Sequence, residues 1–389
     1  YDVMFNVTKN FSEDFTLYSN FGWNLRVQDY YSFVAQTNGG LKIPKLYSLL
    51  NSVNSLTSSD IGQSRFRKMV DGEYVRASIG YKNMLFLEGS FRTDRSSSLW
   101  SKSDKGNRYY YPSGSFSFVF SELMKSSIVN FGKLRLNYAQ VGNETAPYRL
   151  WNTYDINASF SGVGSASNPA ANTYSNLKPE KMEEYEVGLE MGLWKNRVNF
   201  DVSYYNRTTY DLITDVDVST STGASRQWTN MGDVRNEGVE ARISFEPIKN
   251  DNFTWKVTTN FAKNVNKMLR FNGEIEYYQL AAVQGGITIG AQVGEAVGII
   301  RGRGYVYNEN GDRVVNANGR YQLSSSTTIL GNMNPDFTGG VKNTFTYKNT
   351  SLSFLIDFQK GGDVFSLDTY YGYATGLYDN YTSGLNDLG

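Results

Sequence analysis

Apolar and polar residues alternate along much of the chain, which is the pattern of strands whose two faces meet different media. From 185 to 193 every odd position is apolar, and the positions between them hold two glutamates and two glycines. After a short turn at 194–197, the alternation resumes from Val198 to Tyr204. This segment predicts one complete antiparallel hairpin.

The same alternation predicts about twelve strands and no helical domain. Their approximate ranges are 2–9, 14–23, 70–81, 84–93, 114–122, 132–141, 181–193, 198–210, 238–247, 253–266, 338–348 and 351–360. Two weaker segments within 267–337 are left uncounted. The chain is therefore predicted to be all-β.

The connections between these strands alternate strictly between short and long. The short ones are 10–13, 82–83, 194–197, 248–252 and 348–350, and the long ones are 24–69, 94–113, 142–180, 211–237, 267–337 and 361 onward. Outer-membrane barrels sort their connections in this way, with short periplasmic turns and long extracellular loops. A soluble sandwich has no reason to do so. The pattern predicts a transmembrane antiparallel β-barrel.

The composition fits this prediction. The 389 residues include 29 Tyr, 23 Phe and 37 Gly but only 7 Pro, which suits long strands joined by turns. A mean hydropathy of −0.45 is usually typical of a soluble protein. Mean hydropathy does not identify a membrane barrel, because only every second residue of each strand faces lipid.

Charge and missing residue types exclude several functions. The 38 basic residues equal the 38 acidic ones, so no net field attracts nucleic acid. The chain has no Cys and no His, which removes thiolate chemistry, ordinary zinc sites and imidazole-based triads. No spacing fixes two carboxylates together for glycosidase chemistry. We predict no catalytic residue, no cofactor and no metal, and therefore no enzyme.

Three motifs carry a family resemblance. Residues 176–180, Asn-Leu-Lys-Pro-Glu, resemble the N-L-x-P-E entry into a strand of TonB-dependent receptors. Residues 236–240, Asn-Glu-Gly-Val-Glu, resemble the N-x-G-x-E start of a later strand. Residues 331–340, Gly-Asn-Met-Asn-Pro-Asp-Phe-Thr-Gly-Gly, resemble an element of SusC/RagA-type transporters. In this order, the three together resemble the middle and later part of that family's barrel.

The resemblance implies a closed barrel of about twenty-two strands with an N-terminal plug. Residues 1–389 are then expected to be a barrel portion, with the plug, the TonB box and some strands lying outside it. The chain starts at Tyr1 already in alternation and stops at the polar Asn386–Gly389, so truncation is expected at both ends. The family lies in the outer membrane and imports glycans or peptides. It uses energy relayed by the TonB complex and pairs with a SusD-like surface lipoprotein.

Six aromatic residues of the predicted loops are candidates for substrate contact, because flat rings stack on sugars or grip peptide side chains. They are Trp100, Tyr109, Tyr110, Tyr111, Trp151 and Trp228. The plainer alternative for each is loop packing or an aromatic girdle at the membrane surface. Many relatives carry a more acidic, calcium-like loop at 307–312, where this sequence predicts an Asn-Gly turn.

Two other functions stay open at this point. A passive porin-like channel would need a complete barrel with a constriction loop and no plug. A soluble all-β adhesin or carbohydrate-binding module would place its aromatic residues in a packed core. Substrate identity, glycan or peptide, also stays open, because specificity lies in loops.

Overall fold

The computed structural model describes residues 1–57, 59–100, 108–151, 153–161, 163–273 and 275–378. The polar end at Asn386–Gly389 lies outside the described residues. Almost all regular structure in the described part is β-strand, as predicted. None of its helices is long and apolar enough to cross a membrane.

The described residues contain twenty-three strands and one α-helix. The first twelve strands are β1 (Asp2–Asn10), β2 (Phe15–Ala35), β3 (Asn38–Leu41), β4 (Ser52–Asn54), β5 (Ile61–Tyr81), β6 (Leu85–Ser96), β7 (Arg108–Phe118), β8 (Val129–Asn143), β9 (Asp155–Phe160), β10 (Val163–Ser167), β11 (Ala171–Asn172) and β12 (Glu180–Leu193). The others are β13 (Val198–Tyr210), β14 (Ile213–Asp217), β15 (Arg226–Asn230), β16 (Gly232–Lys249), β17 (Phe253–Phe271), β18 (Tyr277–Val283), β19 (Ile287–Gln292), β20 (Ile299–Gly302), β21 (Thr328–Asn332), β22 (Pro335–Tyr347) and β23 (Thr350–Gly361), followed by helix α1 (Leu367–Ala374). Short 3₁₀ turns occupy Leu49–Asn51, Ser97–Leu99, Phe120–Leu123 and Thr220–Thr222.

Twelve of these strands form one sheet in the order β1-β2-β5-β6-β7-β8-β12-β13-β16-β17-β22-β23. They are the twelve strands that the alternation predicts, and the prediction of an all-β antiparallel fold is confirmed. Four smaller ladders of the described residues lie within the connections: β3–β4, β9–β10, β11–β15–β14 and β18–β21. Contact density divides the chain into two compact units, which are described separately.

The first unit comprises residues 1–119, 135–185 and 209–231. One face of its strands is apolar: Phe5 lies opposite Phe21, which lies opposite Val75, and Val75 lies opposite Phe91. All four side chains are exposed, and Phe5 is 65% exposed. An exposed apolar surface of this kind suits contact with lipid. We call the side of the sheet that carries these four residues the apolar face.

The opposite side of the same strands, the polar face, carries paired charges and hydroxyl groups. Arg76 lies 2.6 Å from Glu88. The hydroxyl groups of Ser90 and Ser113 lie 2.7 Å apart. A barrel interior is polar in this way because it meets water and solutes. The alternation in the sequence therefore corresponds to a real difference between the two faces.

Strands β2 and β5 are much longer than predicted. Their pairing runs unbroken from Phe15 opposite Tyr81 to Ala35 opposite Ile61. The prediction of a loop over 24–69 was therefore wrong in extent, and the connection is shorter. About 9–11 residues of strand cross a membrane, so a 21-residue strand continues well beyond it. The alternation continues beyond the predicted end at 23 as far as Val27 and is interrupted at Asp29 and Tyr30, so the interruption hid only the last part of the extension.

The loop that joins these two strands is fastened by one carboxylate. Asp60 accepts hydrogen bonds from the Thr57 hydroxyl at 2.7 Å, from the Thr57 backbone N–H at 2.8 Å and from the Asn38 amide at 2.9 Å. These donors favour the ionised form. The hydrogen bond from the Thr57 hydroxyl, followed by those from its backbone and from Asn38, lowers the pKa of Asp60.

We expect this loop to loosen in acid. A lowered pKa in the folded state contributes stability above the unfolded value of about 3.9, and that stability is lost as the pH falls through the folded value. The protection factors of residues 36–57 in the full-length protein, which are exchange rates corrected for the intrinsic pH dependence of amide exchange, should be lower at low pH than at pH 7. Asp60→Asn should exchange faster already at pH 7, whereas Asp29→Asn, at an exposed site, should not. Equal exchange in both variants would contradict this.

Two hairpin turns at the short-connection end have the backbone that tight turns require. Lys82 and Asn83 both have positive φ, 51° and 54°, and the Met84 N–H donates to the Tyr81 carbonyl at 2.9 Å. This is the type I′ geometry that matches the twist of the strands. The predicted turn at 194–197 also contains three successive residues with positive φ.

The second unit comprises residues 120–134, 186–208 and the chain from Gly232 onward. Strands β16, β17, β22 and β23 pair in sequence there. The connection from 272 to 334 holds a four-stranded ladder, β18–β21. The sequence indicated only two weak strands in this region. The structure therefore has two more strands there than the sequence indicated, because each of the four has seven residues or fewer.

Residues 304–324, between β20 and β21, form a three-way junction that we call the cloverleaf. Its three ladders are marked by the bridges Tyr305 to Leu323, Tyr307 to Arg313 and Val315 to Tyr321. At the centre, Val306, Val314 and Gln322 bond to one another in a ring, each N–H donating to the next carbonyl at 2.8–2.9 Å. Three backbone segments thus satisfy each other within a loop.

Two equivalent turns close the cloverleaf arms. In the first, the Asn308 side chain accepts from the N–H groups of Asn310 and Asp312, and Gly311 has a φ of 84°. In the second, the Asn316 side chain accepts in the same way, and Gly319 has a φ of 74°. Side-chain capping and a left-handed glycine favour this turn. The Asn-Gly turn predicted at 307–312 is present.

Candidate functional site

Three of the six predicted aromatic residues converge on one buried cluster in the first unit. The cluster is formed by Leu99, Leu150 and Leu177, which are 2%, 6% and 6% exposed. Tyr109, Trp151, Ile213 and Trp228 pack against these leucines. The arrangement is a small hydrophobic core beneath the loops. It holds Tyr109, Trp151 and Trp228 in place, which is the loop-packing role.

Trp100 joins this cluster from outside. Its ring stacks on Trp151, with centroids 5.5 Å apart and an angle of 19° between the planes. Trp100 is 43% exposed and borders an open cavity of about 570 Å³, together with Leu25, Met69 and Arg95. The part of Trp100 that does not contact Trp151 is accessible to a ligand or to lipid.

Trp228 already has a partner on one face of its ring. The guanidinium carbon of Arg149 lies 3.4 Å from the ring centroid, a cation–π contact. Burial lowers the pKa of Arg149, although a guanidinium stays protonated in proteins. With one ring face covered by Arg149, Trp228 has at most one face for a sugar.

Tyr110 and Tyr111 point to opposite sides of β7. Tyr110 pairs with Thr93 and stacks on Phe91 at 5.8 Å, so it belongs to the apolar face. Tyr111 pairs with Arg92 and belongs to the polar face. The structure thus brings together four of the six candidates, Trp100, Tyr109, Trp151 and Trp228, and separates the other two. Tyr111 is the candidate best placed to meet a solute on the polar face.

The motif at 176–180 anchors the loops of the first unit. Leu177 belongs to the buried cluster. The side chain of Asn230 accepts from the Lys178 N–H and donates to the Lys178 carbonyl, both at 2.9 Å. It also donates to the Asp211 carbonyl at 2.8 Å. The Glu180 carboxylate accepts from the backbone N–H of Ile213 at 2.8 Å. The motif therefore fixes two loops to each other.

Glu144 is a second anchor in this unit. Its carboxylate lies 2.5 Å from the Lys68 ammonium and 3.3 Å from the Arg26 guanidinium. Ser96 also donates to it. The side chains of Glu144 and Lys68 are largely buried, so this pair is screened by water less than most surface pairs. It ties the beginning of the 144–179 loop to the long β2–β5 ribbon.

The motif at 236–240 lies in the second unit. The Asn236 side chain accepts from the amides of Asn264 and Asn266 at 3.1 Å and 2.8 Å. Gly238 faces the Tyr205 ring and the Lys263 carbonyl so closely that a Cβ atom would overlap both. The glycine is required here by close backbone approach.

The motif at 331–340 closes the long loop of the same unit. The Asn334 amide donates to the Val297 carbonyl at 2.7 Å, and the Asn266 side chain accepts from the Val297 N–H at 2.7 Å. The Asp363 carboxylate accepts from the Asn332 N–H at 2.8 Å. Both backbone groups of Val297 are therefore held by asparagine side chains. All three motifs that carry the family resemblance are anchors of loop ends.

Sequence reasoning missed Arg149, Glu144 and Asn230. Each acts through a partner that is distant in sequence, as Asn230 and Lys178 are 52 residues apart. Single-sequence patterns carry no information on such pairings. The sequence held one local signal for Asn230. This polar residue directly precedes the hydrophobic Met231, which is buried.

Comparison with known proteins settles the family. The family profile described as "TonB dependent receptor-like, beta-barrel" matches residues 1–293. The chain belongs to this family. The predicted location in the bacterial outer membrane follows, with the short turns at the periplasmic side and the long loops outside. The prediction of a TonB-dependent receptor barrel is confirmed.

Curated relatives agree with this family. TonB-dependent receptor P26 of Formosa agariphila is 27% identical over 359 residues, covering 81% of this chain and 34% of that protein. TonB-dependent receptor SusC of Bacteroides thetaiotaomicron is 30% identical over 258 residues, covering 63% of this chain and 24% of that protein. The chain spans about a third or less of the length of these two relatives.

Solved structures share the fold. The RagAB peptide transporter superposes with a TM-score of 0.81 at 19% identity, covering 96% of this chain and 42% of the matched chain. The outer membrane transporter YddB from Escherichia coli superposes with a TM-score of 0.52 at 13% identity, covering 92% and 41%. At these identities the likeness establishes the fold alone.

Proposed function

We propose that the full-length protein imports a nutrient, a glycan or an oligopeptide, actively across the outer membrane. In this proposal TonB supplies the energy, and a SusD-like surface lipoprotein covers the extracellular mouth. The observation that carries the proposal is the family match over residues 1–293. The relative named SusC and the fold shared with the RagAB peptide transporter support it.

The chemistry of the polar face fits this role. Tyr111, Tyr74 and the ion pair of Arg92 with Asp94 at 2.8 Å line that face in the first unit. Rings and fixed charges can bind and release a polar solute without covalent change. A sheet with an exposed apolar face disfavours a soluble adhesin or carbohydrate-binding module, whose aromatic residues would be buried.

The test of active import compares uptake with and without TonB. Labelled oligopeptides and labelled glycans would be offered to cells expressing the full-length protein, with and without a functional TonB complex. We expect uptake of one substrate class only, and only with TonB. Equal uptake without TonB would contradict active import and favour the passive channel.

The proposed partner has a separate test. The full-length protein would be purified from detergent-solubilised outer membranes, and accompanying proteins would be identified by mass spectrometry. We expect a surface lipoprotein of the SusD type at a ratio near one to one. A barrel recovered alone under gentle extraction would contradict the partner proposal.

The opposite orientations of Tyr110 and Tyr111 give a matched pair for testing substrate contact. Tyr111→Ala should weaken substrate binding by about two- to thirteenfold, since an aromatic contact contributes about 0.5–1.5 kcal/mol. Tyr110→Ala, on the apolar face, should leave binding unchanged. Binding would be measured by calorimetry on folded protein. Equal effects of the two variants would contradict a role for Tyr111.

A further inference from the structure

The apolar face of the second unit ends in three lysines at the extracellular ends of its strands. The Phe337 ring contacts the rings of Phe261 and Phe358 there, with centroid distances of 5.6 Å and 6.3 Å. One step further along the strands, Lys360 pairs with Phe337, and Lys263 follows Phe261 on the same side of β17. Lys267 lies on that side of β17 too, because it is four residues beyond Lys263.

Aromatic rings followed by lysines along the strands are the order expected where a barrel crosses the membrane surface. Aromatic rings favour the boundary between hydrocarbon and head groups, and lysines extend from it into the polar layer. Lys263 and Lys360 lie beyond Phe261 and Phe337 along the strands, and both are exposed. Lys267 is exposed too. The three ammonium groups are therefore placed at the level of the head groups of the outer leaflet.

The lysines border an open cavity of about 610 Å³. Asn264, Asn266, Asn332 and Asn334 line it as well, and Glu295 and Asp336 are its two carboxylates. Neither carboxylate lies within ion-pair distance of a lysine among the described residues of this unit. The cavity thus holds three cations without a partner and is large enough for a head group.

Two other carboxylates near these strand ends already have cationic partners. Glu237 lies 3.7 Å from Arg235, and Asp233 lies 2.6 Å from Arg270. In the first unit, two cations of the apolar face at the loop end are paired. Arg95 contacts Asp71, and Arg108 lies 3.1 Å from Glu73. Against this background, the unpaired state of Lys263, Lys267 and Lys360 requires an explanation.

We propose that Lys263, Lys267 and Lys360 bind the phosphate of an outer-leaflet lipid, with its acyl chains against Phe261, Phe337 and Phe358. A phosphate neutralises the ammonium groups and accepts charge-assisted hydrogen bonds from them. The aromatic rings supply the apolar contact that a free anion does not use. A lipid therefore fits both parts of this surface, whereas inorganic phosphate fits only one.

The first test uses the full-length unmodified protein in detergent. Lipid A that carries phosphate would be titrated against it, in parallel with the same lipid after enzymatic dephosphorylation and with inorganic phosphate as a competitor. We expect the phosphorylated lipid to bind about tenfold or more tightly than the dephosphorylated one. Equal binding of both lipids would overturn the proposal. Competition by millimolar inorganic phosphate would also overturn it, because the site would then take a free anion.

The second test uses variants. The triple variant K263Q/K267Q/K360Q should lose this preference for the phosphorylated lipid, and so should Lys360→Gln in part. The control is Lys342→Gln, because Lys342 lies on the opposite side of the neighbouring strand β22. Folding of each variant would be checked by its mobility on gels before and after heating. An unchanged preference in the folded triple variant, or an equal loss in the control, would overturn the proposal.

Discussion

Gly238→Val is expected to prevent β16 from pairing with β17 and to reduce the folded protein in the membrane more than any other change considered. A side chain at this position would overlap the Lys263 carbonyl of the paired strand and the Tyr205 ring. Overpacking generally costs about 1–3 kcal/mol. A rigid backbone carbonyl cannot move aside as a side chain can, so this case belongs at the upper end.

The measurement is the fraction of full-length protein that runs as the folded form on unheated gels. The matched control is Gly89→Val, because Gly89 also lies in a strand, on the apolar face, and has nothing within 4 Å of an added Cβ. We expect the control to fold as the unmodified protein does. A folded fraction of Gly238→Val equal to that of Gly89→Val would contradict the requirement for glycine.

Asn230→Ala is expected to release the loops that the motif at 176–180 anchors. The Asn230 side chain satisfies the N–H and carbonyl of Lys178 and the carbonyl of Asp211, at 2.8–2.9 Å. Leaving a buried polar group unsatisfied costs about 1–3 kcal/mol. Asn230 itself is buried. The free energy of local opening should therefore fall by roughly 3 kcal/mol, which is about a hundredfold in the opening equilibrium.

Hydrogen exchange of residues 176–180 and 211–213 measures this effect directly. Asn230→Asp should be intermediate, because a carboxylate accepts from Lys178 but cannot donate to the two carbonyls. Asn168→Ala is the control, since Asn168 is exposed and makes a hydrogen bond of 3.5 Å to Gly223. Unaltered exchange in Asn230→Ala would show that the leucine cluster alone holds these loops.

The sequence was sufficient for the strands because their signal is local. A period of two identifies which residues share a face, and all twelve strands of the large sheet follow from it. The boundaries failed where that period is hidden. Strand β7 begins at Arg108 rather than at 114, since the three successive tyrosines at 109–111 conceal the alternation. Strand β2 was predicted to end at 23, although the alternation continues to Val27 before Asp29 interrupts it, and the strand runs to Ala35.

The candidate site was less predictable, because it depends on contacts between distant segments. The sequence identified aromatic residues in loops but not that Trp151 and Trp228 pack on Leu99, Leu150 and Leu177. The sequence also did not show that Tyr110 and Tyr111 lie on opposite faces of the sheet, because the start of β7 was not known. One local signal was overlooked. Asn308 and Asn316 each begin an Asn-x-Asn-Gly turn eight residues apart, and this spacing predicts the two arms of the cloverleaf.

The eight-residue spacing of the cloverleaf makes its arm tips suitable insertion points. Each arm is closed by its own Asn cap and left-handed glycine, and the ring of Val306, Val314 and Gln322 lies outside both tips. Residues added after Gly311 or Gly319 would lengthen one arm while leaving that ring paired. An epitope inserted there would be displayed at the cell surface, so intact cells could be stained or captured without altering the sheet that crosses the membrane.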